Sequence, residues 1–140
     1  MSAATTILIV DDDADFVAVS RAALESAGYD VLVAEDAPSG FRTAVERRPD
    51  LILLDLMMEE TDSGVRLAHD LRRDPATRRT PIVILTAVRQ ATGFDFTPSG
   101  REDREWIAAD EWIEKPIAPW DLVNLAARLL AAPTEEGDPS

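Results

Sequence analysis

Apolar residues arrive along this chain in two alternating rhythms. Continuous runs at Ile7-Leu8-Ile9-Val10, Val31-Leu32-Val33, Leu51-Ile52-Leu53-Leu54 and Ile82-Val83-Ile84-Leu85 read as buried strands. Between them the spacing turns helical. Phe16, Val19, Ala23, Leu24 and Ala27 form one helical stripe, and Gly28 follows where a helix C-terminal glycine belongs. Pro38 can open a second helix that presents Phe41, Ala44 and Val45. Gly64, Leu67, Ala68 and Leu71 mark a third, ending near Arg72-Arg73, a charge favoured at a helix C-terminus. Residues 87–100 then lose any steady period around Gly93, Pro98 and Gly100. A short helix over 101–108 and a fifth strand over 111–114 are expected next. Pro119 opens the last helix, with Leu122, Leu125, Ala126 and Leu129 on one face.

Strands alternating with helices predict a parallel sheet covered on both faces, because strands without a polar face must be buried on both sides. The fold class is therefore α/β and doubly wound, with a single domain over 1–132 and a polar, disordered tail over 133–140. At 46% hydrophobic and 29% charged residues the chain is balanced for a globular core rather than bulk disorder. A net charge of −13 repels phosphate backbones, so direct nucleic-acid binding is not expected. The sequence contains no run of about 20 apolar residues, so membrane insertion is not expected either. Its N-terminus has no basic region ahead of the apolar run. Cysteine is absent, which removes disulfides and thiolate metal sites. A soluble cytoplasmic protein is the expectation.

In open α/β sheets ligands bind beyond the carboxyl ends of the strands, so the residues that follow each strand carry the chemistry. The first strand runs into Asp11-Asp12-Asp13, the third into Asp55, the fourth into Thr86 and the fifth into Lys115-Pro116. The second has a less definite ending, Glu35-Asp36. Carboxylates gathered at one edge repel each other unless a cation neutralises them. Hard oxygen ligands suit Mg²⁺, which keeps several waters and takes one or two protein carboxylates. A lysine and a hydroxyl at the same edge suggest an arriving anion. A phosphoryl group clamped by Mg²⁺ and Lys, and accepted by an aspartate, fits that set of charges.

These residues resemble the response-regulator receiver domains of two-component signalling. The matching stretches are ILIVDDDADF at 7–16, LILLDLMM at 51–58, IVILTA at 82–87 and DEWIEKPI at 110–117, in family order across nearly the whole chain. The resemblance implies a flavodoxin-like five-stranded sheet in the order 2-1-3-4-5. It implies that Asp55 is the phospho-acceptor, with Asp11, Asp12, Asp55 and the backbone carbonyl of Met57 around Mg²⁺. By the same resemblance Thr86 is the switch hydroxyl, Lys115 pairs with the phosphoryl group, Lys115-Pro116 is a cis peptide and Trp112 is the aromatic switch. The implied function is that of a stand-alone response regulator, not an enzyme acting on an external substrate. A sensor histidine kinase or His-phosphotransfer protein would phosphorylate it in a Mg²⁺-dependent reaction, and it would signal through an unknown downstream protein or as a homodimer. The alternative is a phosphate-independent interaction module on the same fold.

Other residues have plainer readings. Asp13 suits a helix N-cap, His69 a surface or boundary position on a helix, and Trp106 and Trp120 packing roles. A Mg²⁺-dependent phosphatase with an Asp nucleophile would want an acid/base Asp where Met57 stands, and no Gly-rich phosphate loop ends in Lys-Ser or Lys-Thr. The chain also departs from the family pattern. Glu59 replaces the common Pro in a loop one residue longer, and the segment after the fourth strand is lengthened by GFDFTPSG. Phe94 and Phe96 in that segment could form a lid, a partner patch or core filling. Met57 and Val88 flank the site and cannot hold an attacking water by hydrogen bonds, which predicts slow loss of the phosphoryl group.

Overall fold

The computed structural model describes residues 5–55, 63–86, 111–114 and 117–131. Among them the elements run β1 (Thr6–Val10), α1 (Ala14–Ser26), β2 (Asp30–Ala34), α2 (Ala37–Arg47), β3 (Leu51–Asp55), α3 (Ser63–Arg73), β4 (Ile82–Thr86), β5 (Glu111–Glu114) and α4 (Pro119–Ala131). The five strands are parallel and ordered β2-β1-β3-β4-β5. This is the doubly wound topology expected from the sequence.

The apolar runs bury because the pleat sends alternate residues to opposite faces, each with its own helical cover. Leu8, Val10, Ile52, Leu54, Ile82 and Ile84 face one way, against Ala44 of α2 and Leu67, Ala68 and Leu71 of α3. Ile7, Ile9, Leu51, Leu53, Val83 and Leu85 face the other way, against Leu24 of α1 and Leu122, Leu125 and Ala126 of α4. At the amino edge Asp50 Oδ2 accepts from Thr6 N at 2.9 Å and fixes the start of β1 against β3. The turn into β4 is held by Arg72, whose Nη1 donates to the carbonyls of Arg78 and Thr80 at 3.0 and 2.6 Å.

Helix ends follow local chemistry. Asp13 caps α1 by accepting from Phe16 N at 3.2 Å. Gly28 closes the same helix at φ 102°, a left-handed conformation that glycine adopts without a Cβ penalty. The ill-defined ending of β2 is a cap as well, since Asp36 accepts from Ser39 N at 2.8 Å at the start of α2. Arg48 ends α2 at φ 48°, where glycine or asparagine is the usual residue.

Three sequence readings need correction, the first being Ala27, which was expected on the stripe of α1 but is exposed at its C-cap. Val19 was expected on the buried stripe of α1 but is 52% exposed, because Ser20 and Leu24 set the buried line and each residue turns about 100° around the helix. Trp120 was expected to pack and is 68% exposed. It precedes the buried Leu122 by two positions and therefore lies about 200° from it around α4.

Candidate functional site

The carboxyl edge of the sheet collects the acids. Val10 pairs with Leu54, so one further step in register sets Asp11 beside Asp55. Asp11 N donates to Ala34 O at 3.0 Å and carries the β1–β2 ladder to this point. Asp11 is 1% and Asp55 5% exposed, whereas Asp12 faces solvent. One oxygen from each of the three carboxylates lies within 4.8 Å of the others. Asp11 Oδ1 also accepts from Asp13 N at 2.9 Å, which orients the carboxylate and folds the turn into α1. Both buried aspartates continue the alternation of the face that α1 and α4 cover.

Such a cluster suits a hard divalent cation. Three close carboxylates repel one another, and their oxygens match the ligand preference of Mg²⁺. Two are held by strand ends, so the donor set is fixed by the sheet rather than by a loop. Asp55 pairs in register with Leu85, and Thr86 with Glu114, which brings the backbone of Thr86 and the end of β5 to the same edge.

Of the expected site residues, the structure brings Asp11, Asp12 and Asp55 together. Met57, Lys115 and Pro116 lie outside the described residues, as do Glu59, Val88, Phe94, Phe96, Trp106 and the 133–140 tail. Trp112 lies on β5, in register with Ile84, and packs against the cluster covered by α2 and α3. Its indole Nε1–H is buried and has no hydrogen-bond partner, which costs about 1–3 kcal/mol for an unsatisfied donor. His69 sits half-buried on α3 and is not among the cluster's ligands.

One residue close behind the site was not singled out from the sequence. Gly40 of α2 lies so close to β1 that an added Cβ would sit 3.0 and 3.1 Å from the Val10 methyls and 3.2 Å from Leu67 Cδ2. Val10 immediately precedes Asp11, so this close approach sets the height of the first strand's end. A helical glycine is a weak sequence signal, because nothing near it in the chain announces the partner.

A doubly wound sheet with a carboxylate cluster at its carboxyl edge defines a class of small α/β ligand-binding domains. Comparison with known proteins narrows this. The response regulator receiver domain model matches residues 7–127, and the chain belongs to that family. It is 43% identical over 130 residues to the phosphate regulon transcriptional regulatory protein PhoB of Pseudomonas aeruginosa, covering 90% of this chain and 50% of that protein. It is 40% identical over 132 residues to the DNA-binding dual master transcriptional regulator RpaA of a Synechocystis species, covering 89% of this chain and 47% of that one. The chain thus spans about half the length of these curated relatives. Among solved structures it resembles the receiver domain of a Pseudomonas aeruginosa sensor histidine kinase, with a TM-score of 0.77 and 27% identity over 93% of this chain and all of that one. That structure holds a magnesium ion coordinated in the active site cleft. No helix among the described residues is long and apolar enough to cross a membrane.

Proposed function

We propose that this receiver domain is switched by Mg²⁺-dependent transfer of a phosphoryl group to Asp55. The single observation that carries the reading is the approach of Asp11, Asp12 and Asp55 to within 4.8 Å at the carboxyl edge. In the transfer a carboxylate oxygen of Asp55 attacks phosphorus. A P–O bond forms as the P–N bond to a donor phosphohistidine breaks, and the protonated imidazole leaves as a neutral ring. The donor is a sensor histidine kinase or a His-phosphotransfer protein. Mg²⁺, when bound, neutralises charge on the transferring group. Asp11 and Asp12, with Asp12 the direct ligand of the pair, would hold it together with Asp55 and the Met57 carbonyl. Lys115 and Thr86 bind the phosphoryl group once it rests on Asp55. Trp112 responds to that change from the far side of β5, and the signal leaves through protein contacts in the cytoplasm. The chain is a phospho-acceptor rather than an enzyme with an external substrate.

The test is intact-mass measurement after incubation with Mg²⁺ and acetyl phosphate, with Asp55→Asn alongside. The wild type gains one phosphoryl group and Asp55→Asn gains none. Equal gain by both proteins, or gain without Mg²⁺, contradicts the proposal.

A further inference from the structure

At the amino edge of the sheet, opposite the carboxylates, lies a groove of about 500 Å³. Pro49 and Asp50 ahead of β3, Arg78, Arg79 and Pro81 ahead of β4, and Leu130 in the last turn of α4 line it. Its rim is tied down on several sides. The buried Thr77 Oγ1 donates to Leu71 O at 2.7 Å, and Ala76 N donates to Asp74 Oδ1 at 2.8 Å. Arg72 holds the carbonyls of Arg78 and Thr80, so the turn that carries both arginines is fixed from within. Ile52 N donates to Pro81 O at 3.0 Å and joins two of the walls. A ligand entering here meets a preformed surface, which lowers the cost of ordering on binding.

The groove is cationic on a chain whose net charge is −13. Arg78 and Arg79 are exposed, and neither is ion-paired to a described residue. Asp50 is the one acid among the lining residues, and its Oδ2 already accepts from Thr6 N at 2.9 Å. An anionic ligand is therefore favoured. The prolines and Leu130 add an apolar floor, which suits a peptide segment better than a bare inorganic anion.

The chain carries such a segment at the mouth of the groove. Helix α4 ends at Ala131, one residue beyond Leu130, and the stretch PTEEGDPS follows at 133–140, outside the described residues. Four extended residues span at most about 14 Å, so Glu135 and Glu136 come within reach of a groove that the helix itself lines. Acids just past a helix C-terminus meet the negative end of its dipole. The cation of that last turn, Arg128, is engaged with Glu111 at 3.1 Å. Arg78 and Arg79 are left to receive them.

We infer that residues 133–140 dock along this groove as an intramolecular latch, with Glu135 and Glu136 on Arg78 and Arg79 over the proline floor. Exposed ion pairs are individually weak. A segment tethered beside its site is nevertheless present at an effective concentration on the order of millimolar, so weak pairs suffice. The latched groove is closed to acidic segments of other proteins. Docking is independent of the chemistry at Asp55, which lies at the opposite edge.

The experiment places a nitroxide spin label on Ser140→Cys, the sole thiol in a cysteine-free chain, and reads amide broadening by NMR on the full-length protein. At low salt the label is expected to broaden Arg78, Arg79 and Thr80. Neutralising the segment with Glu135→Gln, Glu136→Gln and Asp138→Asn should cut that broadening about five-fold, the scale of two exposed ion pairs. Screening at 1 M salt should do the same. Arg78→Glu with Arg79→Glu should abolish it, and adding Glu135→Arg, Glu136→Arg and Asp138→Arg should restore it. Equal broadening with the acidic and the neutral segment overturns the latch, because proximity alone then explains it. So does the absence of broadening at 78–80 in the wild type. A synthetic peptide of residues 132–140, added in trans, should shift the amides of 78–80 only in the neutral-segment variant. Equal shifts in the wild type mean that the groove stands open to an outside acidic partner, and the latch falls.

Discussion

Replacing Asp55 by Asn removes one of two buried negative charges at the carboxyl edge while keeping the shape of the side chain. Asp11 and Asp55 are 1% and 5% exposed, and their oxygens lie within 4.8 Å. At that separation two unit charges repel by about 3.5 kcal/mol at an effective dielectric of 20, and by about 1 kcal/mol in bulk water. The cluster sits at an open edge with Asp12 facing solvent, so the operative value lies between, about 2 kcal/mol. In EDTA, Asp55→Asn should therefore be more stable than the wild type by about 1–3 kcal/mol. If, as proposed, Mg²⁺ is held by the native cluster and not by the unfolded chain, it should stabilise the wild type by mass action and close that gap. The assay is urea denaturation at neutral pH, in EDTA and in millimolar Mg²⁺, comparing midpoints at a shared m-value. An Asp55→Asn protein less stable than the wild type in EDTA would refute the reasoning. So would equal stabilisation of the two proteins by Mg²⁺.

Three further outcomes follow from the same structure. Gly40→Ala gains about 1 kcal/mol of helix propensity but meets stiff Val10 at 3.0 Å, an overpacking that costs about 1–3 kcal/mol. It should destabilise in the wild-type background and stabilise once Val10→Ala removes both methyls, as a double-mutant cycle in urea would read; independent effects would contradict the contact. The carboxyl of Asp36 is held below its ordinary value of 3.8 by the Ser39 backbone N–H first and the Ser39 hydroxyl second, with a smaller contribution from Arg42. Its stabilisation is complete above that value and is lost as pH falls through the lower folded one. Asp36→Asn keeps an acceptor but does not titrate, so the wild type should lose stability relative to it only on the acid side; a constant difference down to low pH would contradict the cap. Finally, the apolar Met57 and Val88 predict a phosphorylated state that decays over hours, followed by intact mass after removal of the donor; decay in seconds would contradict them.

Most of the scaffold was legible because its strands carry no polar face. Runs such as Leu51-Ile52-Leu53-Leu54 leave burial on both sides as the only arrangement, and that requires helices above and below. The acidic cluster was legible for a related reason. Once a run is a strand, the aspartate that ends it has a known place, and two adjacent strands in register bring Asp11 and Asp55 together. Helix faces were read less well. The stripe of α1 holds apolar residues over more than half its circumference, so period alone could not tell Val19 from Leu24. Trp120 was misread because its size suggests packing, whereas its placement relative to Leu122 points it outward. Gly40, Arg72 and Asp36 act through partners fixed by the tertiary fold or by a helix start that the sequence left blurred.

The central claim is that Asp55 accepts the phosphoryl group. Borohydride reduces an acyl phosphate to the alcohol and so converts a phosphorylated aspartate into homoserine at its own position. The protein would be incubated with acetyl phosphate, with and without Mg²⁺, then reduced, digested and sequenced by tandem mass spectrometry. The account predicts homoserine at position 55 and only when Mg²⁺ is present. Homoserine at position 11 or 12, or none at any position in a folded, Mg²⁺-loaded protein, would contradict it.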